Sequence, residues 1–203
     1  MSTVSAADME KAFQNLFEKL GPQTPGLVFY RKQIPPSILP DLAKFQGLKK
    51  LSLIDCNLRS LEGLPRLPDL RILMLGDNNL DDLSPIPNCF PNLEKLSVVG
   101  NRIRLRDQLQ PLTRLNKLRA LDVEGNDICE IRGHDRWLKD TFPQVTHFII
   151  VAYDVDGDEE DDGNATRILC NEHLDDDDEA FDDDQMDNLE VIMVMPIDLL
   201  ESI

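Results

Sequence analysis

Four times in this chain a block recurs with leucine or another aliphatic at fixed offsets and asparagine or cysteine at a ninth position, in frames starting at Leu48, Leu70, Leu93 and Leu118. The matched residues are Leu48/Leu51/Leu53/Cys56/Leu58, Leu70/Leu73/Leu75/Asn78/Leu80, Leu93/Leu96/Val98/Asn101/Ile103 and Leu118/Leu121/Val123/Asn126/Ile128. Successive frames start 22, 23 and 25 residues apart. A unit this short cannot bury its own aliphatic side, so stacking on its neighbours is the route to a core.

The pattern L-x-x-L-x-L-x-x-N/C-x-L at this period is that of a leucine-rich repeat, in which each unit gives one short strand and a return segment. The expected fold class is therefore α/β: a right-handed, curved leucine-rich repeat solenoid with short parallel strands on its concave face. Asn78, Asn101 and Asn126 form a structural ladder, expected to turn inward where their amides satisfy backbone groups left unpaired at the bend. Cys56 takes the same place in the first frame, as a small buried residue and not a nucleophile.

Charge divides the chain. Residues 1–153 hold 20 Lys+Arg against 18 Asp+Glu, whereas residues 154–203 hold 20 acids against one base, Arg167. Runs such as Asp175, Asp176, Asp177, Asp178, Glu179 and then Asp182, Asp183 and Asp184 repel one another and carry too little apolar surface to offset the entropy of ordering. Residues 154–188 are thus expected to be a disordered acidic tail. Such a polyanion repels nucleic-acid phosphates and attracts Lys/Arg-rich proteins, so the partners expected are histones or other basic proteins, with no direct nucleic acid. Binding of that kind weakens with salt.

Outside the repeats, Ser5 and Asp8 resemble a capping box, and Met9, Phe13, Leu16, Phe17 and Leu20 follow at helical spacing before Gly21-Pro22. Residues 1–26 are read as an N-terminal capping helix over the open end of the stack. Leu27–Tyr30 reads as a degenerate first strand, and Ile34, Ile38, Leu39, Leu42 and Phe45 as its return segment, with Pro35, Pro36 and Pro40 against a long helix. Trp137, Leu138 and Phe142 then Val145–Tyr153 give the closing cap, so the repeat domain spans 27–153. Residues 189–203 hold an apolar, strand-prone run, Leu189–Ile197, with three readings: docking beside the closing strand, a partner-recognition peptide, or export-like spacing at Leu189, Ile192, Met195 and Ile197.

Alternation along each strand points the third, fifth and seventh positions of every frame to the concave face. These are Lys50, Ser52 and Ile54; Ile72, Met74 and Gly76; Lys95, Ser97 and Val99; Ala120, Asp122 and Glu124; with His147, Ile149 and Val151 from the cap. Ile54, Ile72, Met74 and Val99 are expected to make an apolar patch between Lys50 and Lys95 on one side and Asp122 and Glu124 on the other, the make-up of a protein contact.

No catalytic or phosphate-binding motif is present, and His134, His147 and His173 lack metal-ligand spacing, so neither an enzyme nor a cofactor is expected. Asp154-x-Asp156-x-Asp158 opens like a calcium loop, but Glu159 and Ala165 stand where that loop needs Gly and a bidentate Glu. Cys56, Cys89, Cys129 and Cys170 lie apart without CxxC spacing, which reads as a reduced intracellular protein. Residues 1–10 lack a basic start and apolar run, so no secretory signal is expected, and no stretch reaches membrane-spanning length.

The stretches Cys89–Ile103 and Gln110–Asp122 resemble the third and fourth repeats of the acidic leucine-rich nuclear phosphoprotein family, and the likeness covers roughly residues 27–148 together with the character of the tail. The resemblance implies an adaptor of nucleus and cytoplasm that binds histones, modulates histone modification, inhibits a serine/threonine phosphatase and influences transcription or cell death. The alternative is another intracellular leucine-rich repeat adaptor, spliceosomal or phosphatase-targeting, whose tail only solubilises it.

Overall fold

The computed structural model describes residues 6–151, 166–170 and 191–194. A helix α1, Ala6–Lys19, precedes strands β1 Gly26–Tyr30, β2 Lys50–Ile54, β3 Ile72–Met74, β4 Lys95–Ser97, β5 Ala120–Asp122 and β6 His147–Val151. Between them lie short helices α2 Ile86–Cys89, α3 Arg106–Leu109 and α4 His134–Thr141, and 3-10 turns at Pro36–Lys44, Gln110–Arg114 and Asp127–Glu130. The segment joining β2 to β3 is irregular, as Pro65 and Pro68 remove donors that a helix would need. Two further strands, β7 Thr166–Cys170 and β8 Val191–Val194, complete an eight-stranded sheet in the order β7-β6-β5-β4-β3-β2-β1-β8.

Each of β1 to β5 pairs in parallel with the next, in unbroken register: Gly26 with Lys50, Lys50 with Ile72, Ile72 with Lys95, Lys95 with Ala120, Ala120 with His147. This is the leucine-rich repeat α/β fold. The frame leucines fill the interior: Leu48, Leu51, Leu53, Leu70, Leu73, Leu75, Leu93, Val98, Leu118, Leu121 and Val123 are fully buried. Opposite them the return segments contribute Leu61, Leu83, Ile86, Phe90, Leu109, Leu112, Leu115, Leu138 and Phe142 to the same core.

An asparagine ladder runs along the bend after each strand. Asn78 Nδ2 donates to the carbonyls of Leu53, Leu75 and Gly76, and its Oδ1 accepts from the backbone N–H of Cys56 (3.1 Å) and Leu58 (3.0 Å). Asn101 donates to Leu75, Val98 and Val99 and accepts from Leu80 N–H; Asn126 donates to Val98, Val123 and Glu124 and accepts from Ile103 N–H. Each amide therefore ties its own strand end to that of the preceding repeat. Cys56 imitates this with a thiol that contacts the carbonyls of Phe29 (3.6 Å) and Ile54 (3.3 Å).

One position before each ladder residue, the backbone turns left-handed. Asp55, Asp77, Gly100 and Gly125 have φ of 53°, 53°, 59° and 65°. Asp55 N–H donates to Gly76 O, Asp77 N–H to Val99 O and Gly100 N–H to Glu124 O, so the interstrand ladder continues beyond the strands into this column.

The ends are closed differently. Phe13 and Phe17 of α1 are buried against Phe29 and Phe45, with Phe17 edge-on to Phe45 at 5.1 Å between ring centroids. That covers the open end of the core, whereas the backbone edge of β1 is taken by β8, in parallel, with Gly26 opposite Val191 and Phe29 opposite Val194. At the other end β7 pairs antiparallel with β6, His147 opposite Cys170 and Val151 opposite Thr166.

Two expectations need correcting here. Thr166–Cys170 falls inside the stretch read as unstructured, yet it is a strand: Thr-Arg-Ile-Leu-Cys interrupts the acidic runs with β-prone residues, which charge summed over the tail conceals. The apolar run of 189–203 is expected first beside the closing strand; its Val191–Val194 part lies at the opposite edge, on β1, because β7 already occupies the edge of β6. The calcium-like start at Asp154 lies outside the described residues. Among the described residues, no helix is long and apolar enough to cross a membrane.

Candidate protein-binding surface

Strand register arranges the outward side chains in three rows. One reads Lys50, Ile72, Lys95, Ala120, His147, and the next Val28, Ser52, Met74, Ser97, Asp122. The third starts with Tyr30 opposite Ile54 and continues through Gly76, whose missing Cβ would meet Ile54 and Val99 at 3.9 Å each. Glu124 follows Val99 in this row. Gly76 thus leaves a shallow hollow walled by Ile54 and Val99.

Ile54, Met74 and Val99 are half-buried and remain available, as do Lys50, Lys95, Ser97, Asp122 and Glu124. Ile72 and Ser52 are not: they are 7% and 2% exposed. Side chains converge on the inner side of a curved stack, so a residue of modest reach between two long ones is screened. Ile72 sits in register between Lys50 and Lys95, and Ser52 between Val28 and Met74. The apolar patch is therefore Ile54, Met74 and Val99 without Ile72.

Tyr30 extends it and was missed. Its side chain is half exposed at the head of the third row, and Arg31, bound to Asp55 at 3.3 Å, lies 5.1 Å over its ring. Leu27 and Phe29 point in and alternation sends Tyr30 out; β1 lacks the repeat signature, so the frame offsets do not reach it.

At the far end of the rows sits an acidic corner. Asp122 Oδ1 accepts from Glu124 N–H at 3.1 Å, and Ser97 Oγ donates to Asp122 Oδ2 at 3.4 Å. Partial burial pushes the Asp122 carboxyl above its ordinary range, and the neighbouring Glu124 charge adds to this. A cation brought to this corner relieves both effects. From Tyr30 to Glu124 the face therefore grades from aromatic and aliphatic to anionic, which suits a partner segment with apolar side chains next to Lys or Arg.

The acidic tail residues Asp175, Asp176, Asp177, Asp178, Glu179, Asp182, Asp183 and Asp184 lie outside the described residues. A cleft of about 810 Å³ between α1 and the Ile34–Ser37 segment includes Cys56, Asn57, Leu58 and Arg59 in its lining. It offers no activated nucleophile, for burial pushes the Cys56 thiol up to about 11. Burial likewise raises Cys129 to about 11. Among the described residues no group of His, Cys, Asp and Glu is placed to hold a metal ion.

No family model matches the chain. It is similar to the acidic leucine-rich nuclear phosphoprotein 32 family member A of Drosophila pseudoobscura pseudoobscura and to that of Drosophila melanogaster, each 33% identical over 91 residues, 45% of this chain and 35% of the relative. The acidic leucine-rich nuclear phosphoprotein 32-related protein 2 of Caenorhabditis elegans is 31% identical over 145 residues, 70% of this chain and 61% of the relative. The chain thus spans between about a third and three fifths of the length of these curated relatives. The resemblance carried by its repeats is a sequence relationship to members of this family. Among solved structures it is similar to a chain of the Drosophila melanogaster SNF/U2A′ complex, with TM-score 0.48 and 26% identity over 52% of this chain and 62% of that one. Internalin C2 of Listeria monocytogenes gives TM-score 0.43 and 25% identity over 58% and 49%.

Proposed function

We propose that this chain is a non-enzymatic, nuclear protein-binding regulator that holds histones or similar basic proteins between its concave face and its acidic tail. The observation that carries the reading is the graded face, an apolar hollow at Ile54, Gly76 and Val99 running into the Asp122–Glu124 corner. The surplus of acid beyond residue 153 supports it, as a long-range attractor for the same class of partner. So do curated relatives whose names place them among nuclear phosphoproteins. In this division of work the tail supplies encounter rate and salt sensitivity, and the face supplies register.

The finer parts of the reading follow from the same surfaces. Occupying lysine-rich histone segments blocks the enzymes that modify them, and a serine/threonine phosphatase is the second partner the family likeness suggests. Both are tested by adding the purified protein to histone-modification and phosphatase assays.

The direct test is binding of full-length protein to core histones across a salt series. Neutralising Asp175–Asp178, Glu179 and Asp182–Asp184 to Asn or Gln is expected to weaken binding roughly tenfold or more at low salt and to flatten its salt dependence. Met74→Asp is expected to weaken it at every salt concentration. If the neutralised tail binds histones as tightly as the wild type, the tail is a solubiliser and the reading fails.

A further inference from the structure

We propose that the outer edge of β1 is a strand-docking site, filled in the resting protein by the chain's own β8, and that an extended apolar segment of a partner protein takes this place by strand exchange. The sheet order carries the argument. Strands β1 to β6 follow chain order, each delivered to its neighbour by the return segment of its own repeat. β8 alone crosses from one side of the sheet to the other, after β7 has paired at the far edge.

The two partners of β1 are therefore held very differently. β2 matches all five residues of β1 and is locked by the repeat core, with Leu51 and Leu53 fully buried. β8 matches four, Gly26–Phe29, and among the described residues its other side meets no strand. Residues 171–190 separate it from β7. With strands spaced ~4.8 Å apart, the two edges are roughly 30 Å from one another, which a linker of this length reaches easily. β8 is thus a tethered ligand, present at an effective concentration on the order of millimolar, and not part of the repeat stack.

The edge defines its occupant. Parallel pairing with β1 is made through main-chain groups, which any extended chain supplies, so selectivity must come from side chains on the two faces of the added strand. The resident sequence Val191-Ile-Met-Val194 shows what fits: four successive uncharged residues, largely β-branched, running in the direction of β1. A partner segment of that kind, free of charge over four residues and without proline, is the chemistry expected. α1 leaves this route open, because its Phe13 and Phe17 cover the end of the core while the β1 backbone edge is the surface that β8 occupies.

The test uses full-length protein and a fluorescent synthetic peptide of residues 187–197. In the wild type the tethered strand competes, so the peptide is expected to bind at least tenfold more weakly than to Ile192→Pro, in which the resident strand cannot pair. Hydrogen exchange is expected to show the Gly26 and Val28 amides, which alternate away from β2, deprotected in Ile192→Pro and reprotected on adding the peptide, with Leu27, Phe29 and β3 to β5 unchanged; Ile192→Asp serves as a second variant, and a peptide carrying Pro at position 192 as the control. The proposal is overturned if the peptide binds wild type and variants alike, if it binds neither, or if protection of the Gly26 and Val28 amides is the same in all three proteins. It is also overturned if β8 is exchanged only between copies, seen as a concentration-dependent dimer that the peptide does not dissolve.

Discussion

The interior bends and the two ends of this solenoid solve one problem by unlike means. At Asn78, Asn101 and Asn126 a single amide meets both unpaired donors and unpaired acceptors of two adjacent repeats. At the first bend Cys56 offers a weak sulfur donor, and the backbone N–H of Lys32 lies against the sulfur. At the outer edges there is no next repeat, so a phenylalanine cluster, β8, β7 and a cap around Trp137 take over. A repeat array is thus strongest where sequence is most constrained, and its ends depend on segments that obey no repeat rule.

Removing an interior amide is the severest way to break that contrast. Asn78→Ala takes a partner from the N–H groups of Cys56 and Leu58 and from the Leu53 carbonyl, while the Leu75 and Gly76 carbonyls keep Asn101 Nδ2 and Asp55 N–H, a cost of about 4 kcal/mol. Urea denaturation is expected to show one cooperative transition at a much lower midpoint; loosening confined to the neighbouring amides would show that the interior is not one unit. At the N-terminal end, Phe17→Ala is expected to cost about 3 kcal/mol, but locally. Hydrogen exchange then distinguishes the two sites, as protection is lost in β1 and β2 and retained in β4 and β5.

The C-terminal cap adds a pH dependence of its own. His134 is 1% exposed, stacks on Trp137 and has neither ring nitrogen hydrogen-bonded, while Arg106 lies 5.2 Å over the same indole. Burial lowers its pKa from 6.5 to about 4; Arg106 lowers it further and Asp135 opposes. Folding therefore holds the imidazole neutral where the unfolded chain takes up a proton, so its contribution is complete above pH 6.5 and is lost as pH falls toward 4. His134→Leu is expected to match wild type near pH 7.5 and exceed it by about 2 kcal/mol at pH 5. Equal loss in both proteins would place the acid sensitivity elsewhere. The smallest effect belongs to the first bend: Cys56→Ala is expected to cost about 1 kcal/mol, since only weak sulfur contacts and little volume go. A cost as large as that of Asn78→Ala would erase the distinction between amide and thiol.

The repeat core was legible in the sequence because a period of two along each strand and of 22 to 25 along the chain leaves few places for leucine to go. The lining of the concave face was only partly legible. Alternation gives the side on which Ile72 and Ser52 lie, but their burial depends on the reach of Lys50, Lys95, Val28 and Met74 across the curved stack. Tyr30 was hidden for the opposite reason, because β1 carries the alternation without the signature. The edge strands were least legible. Nothing local in Thr166–Cys170 or Val191–Val194 states which edge each takes; that is decided by which edge is still open and how far the linker reaches.

The left-handed column before the ladder sets an order on how this chain can change. A Cβ at Gly100 would stand 2.6 Å from Asp77 Oδ1, and one at Gly125 would press on the Gly100 backbone at 3.3 Å. The Asp77 carboxylate stands where a side chain at 100 would go, while Asp55 and Asp77 follow one another in the column with both side chains in place. The two glycines of the column are consequently not equally replaceable. A side chain at 100 needs the Asp77 carboxylate to turn aside, whereas one at 125 presses on main chain, so 125 is the stricter of the two positions.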